Sequence, residues 1–254
     1  MAPDSTFIRP IGEIASVLDS DVDLLQAVPA EQREKALHTS RARVLRVERG
    51  EWDARNDAQE VRGGHGLLVL SGVVVRRVGI TDHIGAELLG PGDLLRPLEH
   101  DGELATLPFE ATWRALEVLR LAVLDRRWSV RMCSYPDIAI ALTARAMLRS
   151  RRLANTLVIA SHPRLDERLR LLLWEFADRY GTVHPDGVHL RLPLTHEVLA
   201  ELAAARRPSV STALGRLTRS GQIERRDGLW VLHGEPPSQE EGDIAEGFQR
   251  PSAG

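Results

Sequence analysis

Three textures along the chain predict an α+β fold. Between Arg43 and Asp125, short β-branched runs are punctuated by glycines. From Asp137 to Ala160 there is neither Gly nor Pro. From Leu194 to Gly234, two short helical patterns precede an Asp-Gly pair set between apolar runs. These read as a β-sandwich or barrel, one long helix, and a small helical module ending in a hairpin. At 254 residues the chain has room for two domains, and its 43% apolar content suffices for sizeable cores.

Residues 1–40 read as a helical or irregular lead-in. Leu18, Val22, Leu24, Leu25 and Val28 are its apolar positions, and Pro29 precedes a short helix from Glu31 to Leu37. Strands are expected at Val44–Val47, Gly66–Leu70, Val73–Val78, Ala86–Leu89 and Ala115–Leu124. Short strands at even spacing suit a sandwich or barrel over residues 41–128. The long helix, residues 136–161, carries two apolar strips. One holds Ile140, Ala144, Met147 and Leu148; the other holds Leu142, Ala146, Leu153, Leu157 and Ala160. Two strips need two covers. The β-domain can supply one and a second copy of the chain the other, so Ile140, Ala144, Met147 and Leu148 are candidate dimer contacts. Arg149, Arg151 and Arg152 interrupt the pattern and are expected on the wetter side.

Ser161-His162-Pro163 breaks the helix, and residues 163–234 form the last module. Leu165–Tyr180 returns to helical spacing, with Gly181 placed to end it. A strand is expected at Val188–Leu194. Thr195 then suits a helix N-cap, and Val198, Leu199 and Leu202 supply a buried face. Ala204 and Ala205 fall where a tight turn is needed. Pro208 opens a second helix at a position Pro prefers, and Val210, Ala213, Leu214 and Leu217 repeat at helical spacing. Two short helices with such a turn make a helix-turn-helix, whose second helix presents its N-terminal side chains to a major groove. Asp227-Gly228 between short apolar strands signals a hairpin. That hairpin is the wing, and Arg225 and Arg226 near its tip are candidate phosphate contacts.

A net charge of −3 argues against a general nucleic-acid binder, but the charge is unevenly placed. Residues 190–234 hold seven Arg against four acids; residues 235–254 hold five acids against one Arg. A basic module is thus followed by an acidic tail that reads as solvated and disordered. Lys35 is the only lysine, so the basic charge is planar guanidinium, suited to phosphate and guanine. Cys133 is the only cysteine, which excludes intrachain disulfides and thiolate clusters and fits a cytoplasmic location. There is no signal-peptide pattern and no apolar run long enough for a membrane. No nucleophile–base–acid set or phosphate loop is present, so no enzyme activity is expected. His65, His83 and His100 read as solvated loop residues, and no metal site is expected.

The residues Leu194-Thr195-His196-Glu197, Leu199-Ala200, Arg207-Pro208-Ser209-Val210-Ser211, Leu214, Leu217 and Gly221-Gln222-Ile223 resemble the DNA-binding domain of the Crp–Fnr (cyclic-AMP receptor protein) family of transcriptional regulators. Leu67–Val75 resembles the family's strand, Ser-Gly, strand signature, and Leu89–Leu95 the turn before its ligand cassette. The resemblance covers roughly residues 40–234 and implies a jelly-roll, cyclic-nucleotide-binding-like β-barrel, a long dimerisation helix and a winged helix-turn-helix. It implies a sequence-specific regulator that binds a near-palindromic site on double-stranded DNA as a homodimer, with RNA polymerase a further candidate partner. Arg207 would be the principal base reader, with Ser211 and Thr212 near base edges. Thr195, Arg206, Ser209, Arg225 and Arg226 would lie on phosphate. The chain has Thr212 where the family often has a second Arg, and Ala204 where it often has Gly. The family's cassette surrounds the cyclic phosphate and ribose with Gly-Glu and, later, Arg-Ser/Thr. Here those positions are Arg96-Pro97 and the neighbourhood of Phe109. Cyclic AMP is therefore not an expected ligand, and no cofactor is predicted. The alternative reading is a sensor or interaction module whose winged helix contacts protein rather than DNA.

Overall fold

The computed structural model describes residues 13–80, 83–97 and 110–237. The chain divides into two compact units at Leu157/Val158, inside the long helix. The expected start of the last module, residue 163, lies a few residues further along.

The first unit opens with β1 (Ile14–Ser16), α1 (Val17–Ser20), α2 (Val22–Gln26) and α3 (Arg33–Thr39). Then follow β2 (Arg41–Val47), β3 (Gly50–Trp52), α4 (Ala54–Ala58), β4 (Gly66–Ser71), β5 (Val74–Ile80) and β6 (His83–Leu89). The strands end with β7 (Leu94–Leu95), β8 (Glu110–Ala115) and β9 (Leu119–Leu124). α5 (Arg126–Met132) leads to α6 (Pro136–Ser161). Two antiparallel sheets result, one in the order β1-β2-β9-β4-β7 and one in the order β3-β8-β5-β6.

Residues of both sheets share one core that includes Leu45, Leu67, Val69, Val74, Leu89, Trp113, Leu121 and Val123. A second core lies on the other face of the first sheet. There Leu68, Ala122 and Leu124 meet Leu18, Leu24, Trp128 and Ile138 of the flanking helices. β4 and β9 are therefore apolar on both faces, which explains their unbroken hydrophobic runs. Trp128 is buried, and its indole N–H donates to the Ser40 carbonyl at 2.8 Å, tying α5 to the end of α3.

The structure corrects several expectations. The run Ala115–Leu124 is two strands in two different sheets, separated by a bend at Leu116–Val118. Gly72 permits that corner: its φ is +83°, and a Cβ there would lie 2.4 Å from the Val118 carbonyl oxygen. His65 is half-buried rather than solvated. Its Nδ1 lies 2.6 Å from Ser129 Oγ, and its ring meets Trp128 edge-on. His83 is exposed on β6, whereas His100 lies outside the described residues, as do residues 1–12 of the lead-in, Phe109 and residues 238–254 of the tail. Among the described residues, no group of His, Cys, Asp and Glu has the arrangement of a metal site. Cys133 is exposed at the end of α5.

On α6, Ile138 and Leu142 are buried, whereas Ile140, Met147 and Leu148 are 66%, 67% and 48% exposed and Ala144 is exposed beside them. The second strip is also open at Ala146 and Leu157. Arg149 and Arg152 do not face solvent as expected. Arg149 makes a two-pronged bond to Glu87 of β6, at 2.7 and 2.9 Å, and Arg152 lies 3.5 Å from Asp93. Only Arg151 of the three is exposed.

The second unit comprises α7 (Leu165–Tyr180), β10 (Gly181–His184), β11 (Gly187–Leu190), α8 (His196–Leu202), α9 (Arg207–Arg219), β12 (Ile223–Arg226) and β13 (Leu229–Leu232). Its antiparallel sheet runs β10-β11-β13-β12. Leu169, Leu173, Leu199, Val210, Ala213 and Val231 are fully buried in this unit. The strand expected to reach Leu194 stops at Leu190, and β10 was not foreseen. Gly181 does end α7, but in an extended conformation (φ −78°, ψ 152°) that starts β10. A Cβ there would lie 2.3 Å from the Ala177 carbonyl oxygen, so the close approach requires glycine.

Candidate nucleic-acid interface

The candidate interface is built on α8, α9 and the β12–β13 hairpin. Thr195 caps α8: its Oγ1 accepts the Val198 N–H at 3.2 Å. The chain then turns through Ala204, whose φ is +47°. An L-residue pays for that left-handed conformation, which glycine would adopt freely. Arg168 of α7 braces the turn. Its guanidinium donates to the carbonyls of Ala203 (2.8 Å) and His162 (2.8 Å).

α9 starts at Arg207 with Pro208 in its first turn, and Arg206 at the N-cap makes no side-chain cap. The leading N–H groups of the helix thus keep their positive potential for an anion. Val210, Ala213, Leu214 and Leu217 face the core, which turns the opposite side outward. Arg206, Arg207, Ser209 and Thr212 are exposed there, and Ser211 is half-buried. Thr212 Oγ1 donates back to the Pro208 carbonyl at 3.1 Å, leaving its methyl group and an oxygen lone pair outward.

Sequence reasoning missed His196. Its Nδ1 lies 2.8 Å from Ser211 Oγ, and Ser211 Oγ also bonds the Arg207 carbonyl at 3.2 Å. The first turn of α8 is thereby joined to α9 at a base-reading candidate. The only sequence signal was position: His196 follows the capping Thr195, on the turn that faces the second helix.

The wing closes at Asp227-Gly228, with φ of +48° and +79°. Two positive values in a two-residue loop match the twist of the flanking strands. Arg225 and Arg226 are exposed, and each has partners within the chain. Arg225 stacks over Trp230, 4.5 Å from the ring centre, and donates to the Leu194 carbonyl at 3.2 Å. Arg226 bonds Glu224 and Asp186, both at 2.8 Å. Hydrogen bonds from Arg226 hold the Glu224 and Asp186 carboxyls below their ordinary pKa. A phosphate would have to compete with these partners, whereas Arg206 and Arg207 are presented on the helix.

A family model, the Crp-like helix-turn-helix domain, matches residues 167–235. The chain is 32% identical over 156 residues to the regulatory protein CysR of Synechococcus elongatus, a stretch covering 59% of this chain and 66% of that protein, just under two thirds. Two solved structures share the fold. A cyclic nucleotide-binding domain containing protein from Listeria monocytogenes EGD-e is 16% identical with a TM-score of 0.59, over 84% of this chain and 96% of that one. A CooA mutant from Carboxydothermus hydrogenoformans is 18% identical with a TM-score of 0.55, over 85% and 89%. Residues 167–235 thus match a Crp-like helix-turn-helix domain, and the chain as a whole shares its fold with these two structures.

Proposed function

We propose that the protein is a sequence-specific transcription regulator that reads a near-palindromic DNA operator as a homodimer. One observation carries the reading: α9 presents Arg206, Arg207, Ser209 and Thr212 outward from a winged helix-turn-helix whose apolar side is fully buried. Arg207 grips guanine through its two-pronged fork, Thr212 meets a base edge with its methyl, and Thr195, Arg206 and Ser209 fix the register on phosphate. The exposed α6 strip of Ile140, Ala144, Met147 and Leu148 is the surface that a second copy covers, which sets two recognition helices about 34 Å apart. Among the described residues, no helix is long and apolar enough to cross a membrane. We place the protein in the cytoplasm, with DNA as its target and no cyclic AMP as effector.

The test begins with selection and sequencing of bound genomic fragments, then titrates the recovered site by fluorescence anisotropy. Arg207→Ala should weaken specific binding by about 1–3 kcal/mol. A variant that binds the site as tightly as the wild type overturns the assignment of Arg207. Affinity should also fall steeply as salt rises, because phosphate contacts release counterions. A salt-independent complex would favour a protein partner for the winged helix.

A further inference from the structure

One face of the sheet in the second unit carries a continuous polar chain. Pairing along β10-β11-β13-β12 sets Thr182 opposite His189, His189 opposite Val231, and Val231 opposite Glu224. Residues two apart on a strand share a face, so His184, Arg226 and His233 belong to the same side.

Their side chains are linked end to end. The rings of His184 and His189 stack with centres 4.0 Å apart. His189 Nε2 lies 2.8 Å from one oxygen of Asp186, in the β10–β11 turn. The other Asp186 oxygen accepts from Arg226 Nη1 at 2.8 Å. Arg226 reaches Glu224 through Nε and Nη2, at 3.2 and 2.8 Å. Glu224 Oε2 in turn lies 3.7 Å from His233 Nε2. Three of the chain's nine histidines thus bracket one guanidinium and the two carboxylates that occupy it.

With neutral imidazoles, two carboxylates against one guanidinium leave a negative charge over. Hydrogen bonds from Arg226 hold both carboxyls below their ordinary pKa, so they stay ionised while imidazole titrates. A proton on His189 sets a cation against Asp186, and a proton on His233 sets another beside Glu224. Each carboxylate then has a second cation to serve, and the network becomes net positive. The stacked pair does not take two protons readily, because like charges so close repel. His189, which has the carboxylate, is the ring that gains. Arg226 ends β12, immediately before the Asp227-Gly228 turn of the wing. Once its partners loosen, it stands where a backbone phosphate would pass.

We propose that this face of the wing sheet is a proton-gated phosphate contact: protons on His189 and His233 draw Asp186 and Glu224 away from Arg226, which then takes a DNA phosphate. The phosphate rests on the proposed function; the proton-driven release of Arg226 does not.

The experiment uses the full-length protein and the duplex recovered by selection. Fluorescence anisotropy at fixed ionic strength follows affinity from about pH 8 to about pH 5.5, the span in which imidazole changes charge. Affinity should rise at least about fivefold toward acid, and the slope of log affinity against log salt should steepen by about one per chain. Arg226→Gln should lose both effects, as should His189→Gln combined with His233→Gln. Asp186→Asn combined with Glu224→Gln should bind at about pH 8 as tightly as the wild type does in acid, with a flat profile. His196→Gln should keep the acid gain, which separates the wing from the His196–Ser211 bond. The proposal is overturned if the wild type shows no gain, if the gain survives in Arg226→Gln or in the double histidine variant, or if His196→Gln alone removes it. A second reading needs no DNA. In nitrogen-15 NMR the Arg226 Nε–H signal, identified by its loss in Arg226→Gln, should shift with the same midpoint as the rings of His189 and His233. A flat Arg226 signal overturns the release. A titrating signal in a protein that binds no duplex at any pH supports the release and overturns the DNA reading, and with it the phosphate contact.

Discussion

The two units use the same residue type in opposite ways. On α6, Arg145, Arg149 and Arg152 meet Asp21 at the start of α2, Glu87 of β6 and Asp93 before β7. On α9, Arg207, Arg216 and Arg219 stay on the outer surface. The guanidiniums of α6 are held by these carboxylates. Outward ones are exposed, with Arg216 3.6 Å from Asp166 and Arg219 Nε donating to the Gly215 carbonyl at 3.1 Å. An arginine count therefore says little about nucleic-acid binding until the partner of each one is known.

The sharpest way to break the contrast is to remove a shared partner from the first unit. Arg76 also stands 3.3 Å from Glu87, so Glu87→Ala leaves Arg76 and Arg149 without their carboxylate. It should cost about 3 kcal/mol of stability, as loss of one member of a buried ion pair does. Urea unfolding followed by circular dichroism measures this. The matching change on the outer surface, Arg219→Ala, should move stability by less than about 0.5 kcal/mol. Equal effects would erase the distinction between the two sets.

A smaller effect is expected at the turn of the second unit. Ala204→Gly removes the strain of a φ of +47° and should stabilise that unit by about 1 kcal/mol. A destabilised Gly variant would mean that the Ala204 methyl contributes more than the backbone strain costs.

Acid should act on the first unit through His65. Burial, and then the charge of Arg96, lower its pKa below the usual 6.5. Protons therefore bind more readily to the unfolded chain. Stability is intact above about 6.5 and declines as pH falls below it. The melting temperature should drop between about pH 7.5 and 5.5, and the drop should be shallower in His65→Gln. Parallel pH profiles for the two proteins would remove His65 as a cause.

The winged helix was legible because its determinants are local. A capping Thr195, Pro208 in a first turn, apolar spacing from Val210 to Leu217 and the Asp227-Gly228 pair each lie within a few residues of what they control. The β-domain was legible only in outline. β4 and β9 bury both faces, so the alternation that marks a strand is missing. β3, β7 and β8 are short or polar, and the pairing of β9 with β2 and β4 joins residues 49 or more positions apart. The same distance hid the partners in the candidate sites. Arg149 read as solvated because Glu87 lies 62 residues away, and the His196–Ser211 bond spans 15 residues and two helices.

Cys133 has a practical consequence. It is the only thiol in the chain, it is exposed, and it stands three residues before α6 begins. One maleimide reaction therefore places one spin label or dye per chain, without mutagenesis. In a homodimer paired through α6, the two labels define a single inter-subunit distance. Pulsed electron resonance then becomes a ruler for assembly, read on the unmodified sequence, with and without DNA.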